Sequence, residues 1–137
     1  MIPERVRDYQ SWRAWRALTV ETVIQLMELH DGDLVCPMSL LHEAWTREIL
    51  VGVSLADLRQ RHLVLHADRP ERERRIRADV VETDAARWRL ASVERYEAAR
   101  SWLETIAEVL DTTALSPDEV ADRVSTLMRA DRERGAR

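Results

Sequence analysis

Along most of this chain the hydrophobic and polar positions alternate with the period of a helix. The longest such run lies between Pro70 and Asp111 and contains no internal Gly or Pro. Val81, Trp88, Trp102 and Val109 fall at multiples of seven. Tyr96, Leu103 and Leu110 make a second sevenfold series, and Ala85, Ser92, Ala99 and Ile106 fill the seam between them. Steps of three and four mark a helix with one buried face. Two adjacent series make a stripe broader than a strict coiled-coil seam. Asp68 as N-cap, Pro70 near the first helical position and Glu71 and Glu73 in the first turn mark its start. The pattern predicts one helix over 70–111, roughly 60 Å long at 1.5 Å per residue. A rod of that length outruns a compact domain of this size, so it is expected to pair with a second copy. Trp88, Tyr96, Trp102, Leu103 and Ile106 would form that homodimer interface.

Shorter helical patterns flank it. Pro3 opens a segment running toward His30, with Val20, Val23, Ile24 and Met27 on one face and a capping Thr19 that could divide it in two. Asp31-Gly32-Asp33 stops it. A helix is expected from Ser39 to Gly52, and another from Ser54 with Leu55, Leu58, His62 and Leu65 inward. Ser116-Pro117-Asp118-Glu119 combines an N-cap, a first-turn Pro and the acid of a capping box. It opens a last helix carrying Val120, Val124, Leu127 and Met128. The expected fold is all-α: a bundle of five or six helices built on 70–111. Residues 1–130 form one domain and the charged stretch 131–137 a frayed tail.

Composition narrows the function. The 21 basic residues are all Arg, and Lys, Asn and Phe are absent. A GC-rich genome such as that of an actinobacterium explains this without any function. A net charge of −4 argues against a general nucleic-acid binder. The single Cys excludes an internal disulfide. No apolar run is long enough to span a membrane, and the first residues lack a signal-peptide pattern, so the cytoplasm is the expected location.

Residues 40–110 resemble the part of MerR-type transcription regulators that follows their DNA-binding domain. The matching run is Leu50-Val51-Gly52-Val53-Ser54-Leu55-Ala56-Asp57-Leu58-Arg59, followed by the Pro70–Asp111 pattern. The resemblance implies dimerisation through the long helix. It does not extend to operator binding, because residues 1–39 carry no winged helix-turn-helix pattern.

Candidate chemistry is sparse. His62 and His66 lie four apart, which on a helix is the spacing of two ligands to one metal ion. Trp12 and Trp15 interleave with Arg13 and Arg16, a pattern suited to cation–π contact with an anionic aromatic ligand or a partner peptide, and Trp45 extends the set. The basic window Arg69, Arg72, Arg74, Arg75 and Arg77 is diluted by Glu71 and Glu73 and reads as a salt-bridged helix surface. No Gly-rich phosphate loop and no nucleophile elbow is present. No catalytic residue and no cofactor is therefore assigned, and the balance lies against an enzyme. The favoured function is a small dimeric regulatory or interaction protein that binds another macromolecule through its Trp- and Arg-bearing face. A helical small-molecule or metal binder with a Trp- and His-lined pocket is the first alternative. A nucleic-acid-associated factor using the Arg windows is the second.

Overall fold

A computed structural model describes residues 8–79 and 86–135. Pro3 of the expected first helix, and Val81 and Ala85 of the long stripe, lie outside them. The described chain is mostly helical, with one small sheet. In order, it holds a 3-10 turn (Tyr9–Ser11), α1 (Arg13–Leu29), α2 (Glu43–Leu55), β1 (Leu63–His66), α3 (Arg69–Ala78), α4 (Ala86–Ile106), β2 (Glu108–Asp111) and α5 (Pro117–Gly135). It divides into two compact units, Met1–Arg61 and His62–Arg137.

In the first unit α1 packs on α2. Thr19 does not divide α1. Its hydroxyl donates to the Trp15 carbonyl at 2.9 Å, one turn back, which spends it inside the helix. The helix stops just before Asp31-Gly32-Asp33 as expected, but the cap is His30 in an extended conformation and not the expected Gly32, which lies two residues further on at φ +150°. Gly52, expected to end a helix, sits instead inside α2. The reason is contact: a Cβ there would lie 2.9 and 3.0 Å from the two methyl carbons of Val20 on α1. The glycine lets two helices close, and α2 runs on to Leu55. Its end is made by Asp57, whose φ of +58° supplies the left-handed residue that Gly52 was expected to supply. Thr46, Ile49 and Val53 form the buried face of α2.

The second unit corrects the central expectation of the sequence. The stretch 70–111 is not one rod, and its longest helical piece is α4. Asp79 adopts an extended backbone (φ −70°, ψ 112°) that ends α3, and α3 packs against α4. Asp79, Val80, Val81, Thr83 and Asp84 are all poor helix formers, and the sevenfold pattern hid that cost. The last four residues of the supposed rod are also not helical. Glu108–Asp111 is a strand, paired in parallel with Leu63–His66 in the register Leu63↔Glu108 through His66↔Asp111. A parallel pair needs a long crossover, and α3 and α4 provide it. The helix expected to carry His62 and Leu65 is therefore absent. Leu63-Val64-Leu65 is a short apolar run of the kind whose periodicity cannot separate strand from helix.

Two further contacts fix the unit. The Arg75 guanidinium donates to the Thr112 carbonyl at 2.6 Å, tying α3 to the chain leaving β2. The buried Thr112 donates its amide (2.7 Å) and its hydroxyl (2.8 Å) to the His66 carbonyl. The capping box of α5 forms as read. The Glu119 carboxylate accepts from the Ser116 amide and hydroxyl, each at 2.8 Å, and the Glu119 amide donates back to the Ser116 hydroxyl at 3.3 Å. These bonds hold the Glu119 carboxyl below its ordinary range, the backbone amide contributing most.

Candidate functional site

In the first unit the Trp and Arg residues part company. Arg16 is buried. Its guanidinium donates to Glu48 at 2.7 Å and to the Gln10 carbonyl at 2.6 Å, and lies 5.5 Å from the centre of the Trp45 ring. Trp45 in turn stacks on His42, with ring centres 3.8 Å apart. Arg16 and Trp45 are thus committed to joining α1 to α2, and Glu48 neutralises the cation. Arg13 is exposed. Trp12 caps α1 and meets Tyr9 edge to face at 6.0 Å.

Trp15 stands apart from the other aromatics. It begins a shallow groove of about 420 Å³ between α1 and the irregular segment 34–38. Leu18, Val23 and Leu26 form one wall, and Leu34, Val35 and Met38 the other, with the exposed Cys36 beside them. Leu18 is 66% exposed and Val35 63% exposed, so the groove is apolar and open to water. Sequence reasoning read Leu34–Met38 only as a connection. Four apolar residues around Pro37 were the signal it passed over.

In the second unit His66, Tyr96 and Arg72 come together at the C-terminal end of β1. The His66 Nδ1 and the Tyr96 hydroxyl are 2.9 Å apart, and the two rings overlap at 6.0 Å. Asp68 stands 3.7 Å from His66 Nε2. Arg72 lies 4.5 Å over the Tyr96 ring, donates from Nε to the Ala67 carbonyl at 2.8 Å, and pairs with Glu97. Its Nη1 is buried and has no hydrogen-bond partner among the described residues. Burial raises the Tyr96 phenol above its ordinary pKa, so it stays protonated at neutral pH. The set is a hydrogen-bonded pair beside a cation already matched by a carboxylate.

The spacing that suggested a metal site is not helical. His66 closes β1, and His62 precedes the strand. A strand rises about 3.3 Å per residue, which sets residues four apart roughly 13 Å from one another. Burial lowers the His62 pKa, partly offset by its hydrogen bond to the Ile106 backbone. Among the described residues no group of three or more His, Cys, Asp or Glu is placed to hold a metal ion.

The residues assigned to a dimer seam also separate. Leu103 is buried within one chain, Tyr96 is engaged with His66, and Trp102 and Ile106 are half-buried. Trp88 alone is 62% exposed. The Arg window on α3 is neutralised in place. Arg69 pairs with Glu73 and Glu94, Arg74 and Arg75 pair with Glu71, and Arg77 pairs with Glu73. Hydrogen bonds from Arg74 and then Arg75 hold the Glu71 carboxyl at about 2.

No helix among the described residues is long and apolar enough to cross a membrane. No family model, no curated protein and no solved structure matches this chain. The long helix that the MerR resemblance implies is interrupted at Asp79.

Proposed function

We propose that the protein is an interaction module that binds an apolar segment of another protein along the α1 groove. The observation that carries this is the open strip of Trp15, Leu18, Val35 and Met38. Contiguous apolar surface left in water marks interaction sites, and an aromatic side chain at its head is the residue type that anchors partners. The reading keeps Trp15 from the aromatic set and replaces Arg16 and Trp45 with Leu34, Val35 and Met38, which line the groove with it. The lining is mostly apolar, with Thr19 and Thr22 its polar members and no cation, which favours a macromolecular partner over an anionic aromatic ligand.

The test places a photo-crosslinking amino acid at Leu18, at Val35 and at Arg47, the last being an exposed position on α2. Products are identified by mass spectrometry from cells making the protein. A shared partner cross-linked from Leu18 and Val35 but not from Arg47, and lost in Leu18→Arg without a change in melting temperature, is the expected result. Equal yield from all three positions, or no partner from either groove position, removes the proposal.

A further inference from the structure

The α1 groove does not end at Leu26. A second hollow of about 260 Å³ continues it, sharing Leu26 and Leu34 with the first and adding Met27, His30, Asp31 and Asp33. Together they make one channel, apolar beside Trp15 and lined with carboxylates at its far end. On the α1 side, Trp15, Leu18, Thr22 and Leu26 follow each other in steps of three and four, and Leu29, 74% exposed, prolongs the stripe. The Thr22 hydroxyl is spent on the Leu18 carbonyl at 2.7 Å, which leaves its methyl for contact. From Trp15 to Leu29 the helix rises roughly 21 Å.

The charges around this channel are of one sign. The chain holds 21 Arg, yet none lies between Arg16 and Arg47, the span that supplies every lining residue except Trp15. The carboxylates of that span are Glu21, Glu28, Asp31, Asp33 and Glu43. Glu21 and Glu28 stand seven apart on α1, so they share one flank of the stripe, and both are exposed. Asp31 and Asp33 follow the end of the helix and are exposed as well. On α3, by contrast, every carboxylate is answered by Arg. The opposite wall narrows the form of an occupant. Pro37 has no amide donor, so segment 34–38 makes a poor ladder for an added strand, and recognition falls to side chains.

We propose that the channel takes a basic amphipathic helix of a partner protein. The helix is apolar on one face and carries Arg or Lys along the flank that meets Glu21 and Glu28 and at the end that meets Asp31 and Asp33. This rests on the groove reading above and names the chemistry of its partner. Apolar side chains at helical spacing cover the strip from Trp15 to Leu29, as in other helix-in-groove complexes. The cations meet carboxylates that speed approach and fix the register. A second copy suits the channel less well. Two α1 helices meeting about a two-fold axis would set the Glu21 and Glu28 flank against its own twin.

The probe is a synthetic helix of about four turns with Leu on one face and Arg on both flanks, and its twin carries Glu in place of Arg. Binding to the full chain is followed by NMR at low and at high salt. The basic peptide should shift the signals of Leu18, Thr22 and Val35 but not of Val51, which is exposed on α2. It should bind about tenfold more tightly than the twin at low salt, and the gap should close as salt rises. Glu28→Arg combined with Asp31→Arg, both at exposed positions, should reverse the order of the twins. Leu18→Arg should abolish binding of either peptide. Twins that bind the groove equally overturn the basic partner and leave the groove reading standing. Binding that survives Leu18→Arg places the cations outside the groove and overturns the proposal. So does the absence of any shift at millimolar peptide, whereas the groove reading itself falls only with the cross-linking from Leu18 and Val35. A dimer of this chain that Leu18→Arg dissociates assigns the channel to a second copy and overturns the occupant.

Discussion

Replacing Gly52 by Ala tests the packing of the first unit. In an exposed helix interior this change stabilises by about 1 kcal/mol, because Ala is the better helix former. Here the new methyl meets Val20 Cγ2 at 2.9 Å, Cγ1 at 3.0 Å and Cβ at 3.5 Å. Both branches of the valine face the glycine, so turning its side chain substitutes one methyl for the other. A β-branched residue within a helix also has essentially one rotamer open to it. Relief must come from moving α1 away from α2, and overpacking of this kind costs about 1–3 kcal/mol. Subtracting the propensity gain leaves a net loss of about 1 kcal/mol, with about 2 as the upper end. Urea unfolding with an unchanged slope measures it. The second arm is Val20→Ala. Alone it loses buried methyls, and combined with Gly52→Ala it should recover most of the overpacking term as a favourable coupling energy. A Gly52→Ala protein at least as stable as the parent, or a double variant showing no coupling, refutes the reasoning.

Other outcomes are expected. Asp57→Gly should stabilise by about 0.5–1 kcal/mol in a denaturant titration, because the residue holds φ +58° and glycine adopts it without strain. Arg16→Met should destabilise by about 1–2 kcal/mol, by thermal or urea melting. It strands Glu48 and the Gln10 carbonyl, but Glu48 remains 42% exposed and is partly repaid by water. Acid sensitivity should have a component from His62. Burial lowers its folded pKa, so its contribution is whole above the unfolded value near 6.5 and is lost as pH falls from there toward the folded value. Between pH 7 and 5 the melting temperature of the parent should therefore fall more steeply than that of His62→Gln. Ser116→Ala should cost about 1 kcal/mol as a lost N-cap. The Glu119 contribution, present above its unfolded value of 4.5, should fade as pH falls through its lowered folded value, read as helix loss by circular dichroism in acid.

What could be read from the sequence was whatever local chemistry decides alone. Ser116-Pro117-Asp118-Glu119 specifies a helix start through contacts among its own neighbours, and it forms one. The stop after Leu29 is equally local. Errors arose where a residue's role depends on a distant partner. Gly52 signals a helix end by its conformational freedom, but Val20 on another helix uses its missing side chain. Leu63-Val64-Leu65 and Val109-Leu110 fit a helical stripe as well as a strand, and only their pairing with each other decides. The sevenfold series through 70–111 was real but partly coincidental, since it counted strand residues together with helix residues. For the candidate sites, the aromatic set was visible by residue type. That Arg16 would be consumed by Glu48 and Trp45 was not, because both partners lie about thirty residues away on α2.

The pairing of β1 with β2 has a consequence for how the chain acquires its shape. His66 and the Thr112 that holds it are 46 residues apart, whereas α1 and α2 are near neighbours in sequence. Ordering so long an intervening stretch before any reward arrives is slow, so the second unit should mature after the first. During that interval Leu63-Val64-Leu65 is a sticky segment without its mate, the kind that recruits the wrong chain. Expression at lower temperature, or a charged substitution at Leu65, should then raise the soluble yield more than any change made in α1.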